Sequence, residues 1–275
     1  MYKLLQEYRK YILYIEIMDQ QDVLKDILRL NNTVLKRIVY AFLLARKKTH
    51  WQEEQEIFSR CNTYREKLLH NFQDIDISEI HHKDISIPIN NLYNNSSLPI
   101  KWCYFLYYIV KLTEYPFVIE LGTCLWVSWT YILEAMKTKE KSYFVSIEAV
   151  KHLCDISFQQ FSTIASTSSF DIRKWLFKDL IPLLLEENRD FNIFFIDGNH
   201  KKDPTLRYFI SLKEKATSSA IFIFDDIDRS EEMKDAWDIL KSNKDVNYSL
   251  DLGRQGIVII DKNDTNRNMY FSLYL

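Results

Sequence analysis

The sequence predicts an α/β chain in which a doubly wound, mostly parallel, seven-stranded sheet follows an N-terminal helical extension. Three observations carry this. After Pro116 short β-rich apolar runs alternate with helix-length amphipathic runs, the pattern of repeated βαβ units. Residues 1–72 carry apolar patterns of helical length without one proline or glycine. Several apolar runs of the second half end in an acidic residue, as strands do whose carboxyl ends face a ligand crevice.

In chain order, "LLQEYRKYILYIEI" and "LKDILRLNNTVLKRIVYAFLLA" read as helices of the extension. In residues 73–100 the periodicity fails and Asn, Ser, Pro and His accumulate, which marks a connecting segment or lid. Residues 101–275 form the main domain. Its strands are "FVIEL", "SYFVSI", "FDIRKW", "FNIFFI", "AIFIF", "NYSLDL" and "GIVII". Helical patterns such as "SWTYILEAMK", "VKHLCDISFQQF" and "DPTLRYFISLKEKA" separate the first five, so their crossovers are those of a parallel sheet. The last two are joined by the short turn Gly253-Arg254-Gln255-Gly256, an antiparallel hairpin at one edge.

Composition narrows the function. With 36 Lys and Arg against 38 Asp and Glu the net charge is −2, which lacks the basic footprint of a nucleic-acid binder. Cys61, Cys103, Cys124 and Cys154 have no metal-finger or CxxC spacing and read as reduced thiols of a cytoplasmic protein. The run "WCYFLYYIVKL" is far short of the roughly 20 apolar residues a bilayer requires, and the N-terminus lacks a signal-peptide pattern. No membrane partner is expected. The aromatic side chains of Trp102, Tyr104, Tyr107 and Tyr108 fall at helical spacing and read as core packing.

The chemistry lies in the acids. Glu120, Glu148, Asp197, Asp225 and Asp226 end the first, second, fourth and fifth strands, and the intervals 120 to 148 and 197 to 225 are both 28 positions, close to the roughly 30 residues of a βαβ unit. One such carboxylate is usually a helix cap. A set of them along one edge calls for a ligand. A dinucleotide wants G-x-G-x-x-G for its pyrophosphate, yet the whole chain has 4 glycines and only Gly122 stands in the first loop. This weakens a nicotinamide-dependent reductase. S-adenosylmethionine instead brings a ribose diol, an ammonium and a sulfonium, groups that carboxylates bind well.

The series "ELGTCLWVS", "SIE", "FIDGNH" followed by "TLRYF", then "IFDDI" with "AW" downstream, resembles the class I S-adenosylmethionine-dependent methyltransferases, within them the small-molecule O-methyltransferase-like group. The resemblance covers approximately residues 75–262 and implies a Rossmann-like methyltransferase fold. It also implies that Glu120, Gly122, Thr123, Trp126 and Ser128 belong to the cofactor loop on the methionine side, and that Glu148 holds the ribose. Some relatives bind a divalent metal, which here would be Mg²⁺ on Asp197, Asp225 and Asp226, an all-oxygen set. His200, three residues past Asp197, would then be the general base, with Asp197 as its catalytic neighbour. The metal is optional in this reading.

Trp126 departs from the family, which usually has glycine there. Its indole either fills the methionine pocket or stacks over the ligand as a wall. The sequence therefore points to O-methylation of a small molecule or natural-product intermediate, with a peptide-derived acceptor or N-methylation as variants. The alternative is a degenerate methyltransferase fold that serves as a binding or scaffolding subunit. The N-terminal helices offer a homodimer surface.

Overall fold

A computed structural model describes residues 20–47, 50–80, 83–122, 124–125 and 127–275. The expected extension contains the helices Gln21–Arg29, Thr33–Ala45 and Gln52–Leu69. Asn32 caps the second through a 2.8 Å bond from the Leu35 N–H, and its own amide donates to Asp261 and Asp264 at 2.9 Å each, which ties the helix to the sheet.

The segment expected to be irregular is built. Strands β1 (Asp74–Asp76) and β2 (Ser86–Pro88) form a small antiparallel ribbon, and the helix Ile89–Ser96 follows directly. The Asn-rich composition of "INNLYNNS" hides this helix from a periodicity reading, because only Ile89 is buried.

The main sheet has eight strands, one more than the sequence predicted. They are β3 (Phe117–Leu121), β4 (Tyr143–Glu148), β5 (Phe170–Lys174), β6 (Phe191–Ile196), β7 (Ala216–Phe224), β8 (Tyr248–Asp251), β9 (Gly256–Asp261) and β10 (Met269–Ser272), in the spatial order β10-β8-β9-β7-β6-β3-β4-β5. Only β9 runs against the rest. The hairpin β8–β9 is real but does not form the edge, because β10 pairs in parallel with β8. Its short pattern is easily missed, yet Met269 and Phe271 pack on the core and Leu273 is fully buried.

Strand alternation sorts the side chains into two apolar layers. Val118, Phe144, Phe195, Ile223 and Ile259 face a cluster that includes Leu35, Ile38 and Phe42 of the N-terminal helices together with the helices Ile100–Lys111 and Val127–Met136. Ile119, Val145, Phe194, Phe222 and Val258 face the other cluster, formed with the helices Phe177–Glu186, Lys202–Leu212 and Glu231–Lys241. Trp102, Tyr107 and Tyr108 are buried core, as expected, and Tyr104 stacks on Phe58 at 4.1 Å. The four cysteines are free thiols. Among the described residues no helix is long and apolar enough to cross a membrane.

Candidate active site

Strand order reverses between β3 and β6, so the loops after these strands open a crevice at their carboxyl ends. Gly122 makes the close approach possible. Its φ is +89°, and a Cβ there would stand 2.1 Å from the carbonyl oxygen of Asp197. The loops are stitched by the Asp197 N–H donating to Leu121 O at 2.9 Å and the Gly122 N–H to Ile147 O at 3.2 Å. Left-handed backbone gathers around the crevice, with positive φ at Cys124, Asn199, His200 and Asp226. Such conformations cost energy and cluster where geometry matters for function.

On the β4 side, Glu148 is buried and its carboxylate accepts from the Cys124 N–H at 3.1 Å and the Val150 N–H at 2.9 Å. It therefore fixes the loop after β3 to the end of β4. Beside it opens a cleft of about 440 Å³ lined by Glu148, Trp175, Phe177, Asn199 and Tyr208. Ile80, in the ribbon between β1 and β2, reaches this cleft as well. That turn is held down by Glu79, which accepts from the Lys151 N–H at 3.1 Å and pairs with Lys174 at 2.5 Å. Apolar and aromatic walls with one carboxylate suit a purine riboside.

Glu120 is 1% exposed and, by strand alternation with Val118, points to the face covered by the N-terminal helices. Ser128 is buried in the first turn of the helix Val127–Met136. Thr123 and Trp126 lie outside the described residues.

On the β6–β7 side the structure brings together His200 and Asp197, the two residues expected to be catalytic. His200 Nε2 lies 3.5 Å from Asp197 Oδ1 and its Nδ1 lies 4.0 Å from Asp226 Oδ2. Burial holds the imidazole below its usual pKa, so the ring is neutral at pH 7. Asp197 is pushed well above the usual carboxylate range, by burial first and then by the charges of Asp225 and Asp226.

The three carboxylates do not form the expected Mg²⁺ set. Asp225 is 1% exposed and receives Arg254 Nη2 at 2.8 Å, Arg254 Nε at 3.2 Å and Gln255 Nε2 at 2.9 Å. Asp226 receives Arg229 Nη1 at 2.9 Å and Arg254 Nη2 at 3.0 Å. Mg²⁺ needs near-octahedral oxygen ligands, and here guanidinium groups hold those oxygens. Among the described residues no group of three His, Cys, Asp or Glu side chains is disposed to hold a metal ion. The sequence marks Arg254 and Gln255 only as turn residues. The signal was present nonetheless, because a hairpin that starts from a strand parallel to β7 turns at the carboxyl edge.

Comparison with known proteins agrees with this geometry. Residues 119–227 match the family described as a methyltransferase domain. No curated protein matches the chain. Among solved structures, the fold is similar to an O-methyltransferase from Bacillus cereus in complex with SAH, at 14% identity and TM-score 0.54 over 80% of this chain and 96% of that one. It is also similar to the SAH-bound methyltransferase PaMTH1 of Podospora anserina, at 14% identity and TM-score 0.53 over 79% and 99%. A third is the O-methyltransferase TomG of Streptomyces achromogenes, involved in tomaymycin synthesis and in complex with SAM, at 15% identity and TM-score 0.51 over 60% and 82%. Residues 119–227 thus match a methyltransferase domain, within a chain that has the fold of these O-methyltransferases.

Proposed function

We propose that the protein methylates a hydroxyl of a small molecule, with His200 as the general base. The observation that supports this most is the place of His200, a neutral imidazole between the carboxyl groups of Asp197 and Asp226 beside the crevice. S-adenosylmethionine supplies an electrophilic methyl on a sulfonium, which leaves as a thioether when the acceptor oxygen bonds to the methyl carbon. His200 takes the hydroxyl proton during this step, and the Asp226 carboxylate facing Nδ1 favours the positive charge the ring acquires. Glu148 holds the ribose and Gly122 lets the loop backbone approach the methionine moiety, near the buried Glu120 and Ser128.

The fit of the cofactor rests on the cleft beside Glu148, whose aromatic walls suit an adenine and whose carboxylate suits a diol. A natural-product intermediate as acceptor draws support from the similarity to a protein involved in tomaymycin synthesis. Titration with S-adenosylhomocysteine, followed by tryptophan emission, should show saturable one-to-one binding. No saturation at millimolar ligand would sink the reading. Incubation with S-adenosylmethionine and a panel of phenols and sugars, read by mass spectrometry, should give an O-methyl product, and transfer confined to amines would move the assignment to nitrogen.

A further inference from the structure

The side of the site where a metal was expected holds a different cation. Arg254 projects from the β8–β9 turn at the carboxyl edge of the sheet, and one nitrogen, Nη2, reaches both members of the acidic pair, at 2.8 Å from Asp225 and 3.0 Å from Asp226. Its Nε lies 3.2 Å from each oxygen of Asp225, so the guanidinium fork grips that carboxylate with several donors. Gln255, the next residue, adds a neutral donor to the same carboxylate from inside the fold, where it is fully buried. Arg229 Nη1 pairs with the other oxygen of Asp226, Oδ2, at 2.9 Å. A guanidinium keeps its charge at every physiological pH. A divalent ion could bind these oxygens only by displacing it.

We propose that Arg254 is the resident cation of this site, standing where relatives place a divalent metal, so that the methyltransferase works without one. Arg254 is a positioning residue: it neutralises the acidic pair and holds Asp226 in its place facing His200. The proposal rests on the reading of the site as a methyltransferase centre, but the occupancy it assigns is tested by a metal ion alone.

The test is Mn²⁺ binding followed by loss of the free-ion electron paramagnetic resonance signal, with full-length protein. The wild type should leave the signal intact at excess protein, and treatment with a chelator should change neither its melting temperature nor its affinity for S-adenosylhomocysteine. Arg254→Gln removes the charge and should bind Mn²⁺ at least about tenfold more tightly than the wild type. Arg254→Lys keeps the charge and should resemble the wild type. If Arg254→Gln is unfolded by its uncompensated Asp225, Mn²⁺ should restore its melting transition.

Binding of Mn²⁺ by the wild type overturns the proposal. So does an Arg254→Gln variant, folded or not, that neither binds Mn²⁺ nor is stabilised by it. Loss of S-adenosylhomocysteine binding in the wild type would instead count against the methyltransferase reading, whatever the metal result.

Discussion

The two halves of the carboxyl edge carry the same residue type and use it differently. On the β4 side, Glu148 spends its hydrogen bonds on backbone N–H groups and opens onto the cleft of about 440 Å³. On the β7 side, Asp225 and Asp226 are gripped by Arg254, Arg229 and Gln255. Backbone amides hold a carboxylate in place without cancelling its charge. Guanidinium groups cancel the charge and occupy its lone pairs. Whether a strand-end acid serves a ligand is thus decided by its partners.

The largest break in this comparison should come from His200. His200→Ala removes the proposed base from the β6–β7 half alone, and kcat should fall by about 10²–10⁴-fold. Affinity for S-adenosylhomocysteine, which the proposal places on the other half, should stay within about threefold by calorimetry. A fall in affinity with kcat preserved would reverse the division of labour.

Next in size is Gly122→Ala, which strikes where the halves meet. The added methyl must find space 2.1 Å from Asp197 O, and the left-handed φ disfavours any side chain. A loss of roughly 2–4 kcal/mol in urea unfolding is expected, with cofactor affinity falling in parallel. A variant of wild-type stability would show that the two loops do not depend on this contact.

The same contrast shows what could be read from residue order. The acids at strand ends were legible because β runs and βαβ spacing place them, and sheet order then brings Glu120, Glu148, Asp197, Asp225 and Asp226 to one edge. What each carboxylate touches was not legible. Arg254 is 29 positions from Asp225, and nothing local distinguishes a turn arginine that turns to solvent from one that reaches under a neighbouring strand. Gln255 was hidden for the same reason. β10 was missed because its four residues show a pattern only once β8 is there to pair with. The helix Ile89–Ser96 was missed because Asn and Ser dominate it, so its helicity depends on tertiary contacts.

A smaller effect is expected on the β4 side. Glu148→Gln keeps the shape but turns one acceptor into a donor facing the Cys124 or Val150 N–H. S-adenosylhomocysteine affinity should fall roughly tenfold, near 1.4 kcal/mol, while kcat at saturating cofactor is nearly unchanged. A drop confined to kcat would place Glu148 in the chemistry and erase the contrast between the halves.

The smallest effect is the one that isolates Asp197. Its folded pKa is raised, by burial and by Asp225 and Asp226, so between its unfolded value of about 3.9 and its folded value the native protein holds a proton that the unfolded chain has lost. Stability from this group is complete below that window and is lost as pH rises through it, by at most about 1.4 kcal/mol per unit. His200 acts oppositely: its folded pKa is lowered, so between that value and about 6.5 the unfolded chain holds the extra proton and stability rises with pH. The wild-type profile sums both slopes and does not separate them. Asp197→Asn, which mimics the protonated carboxyl, removes only the first. The difference in melting temperature between Asp197→Asn and wild type should therefore move in the variant's favour as pH rises from about 4, whereas a difference that is flat with pH would mean that neither burial nor the charges of Asp225 and Asp226 raise the Asp197 pKa in the folded protein.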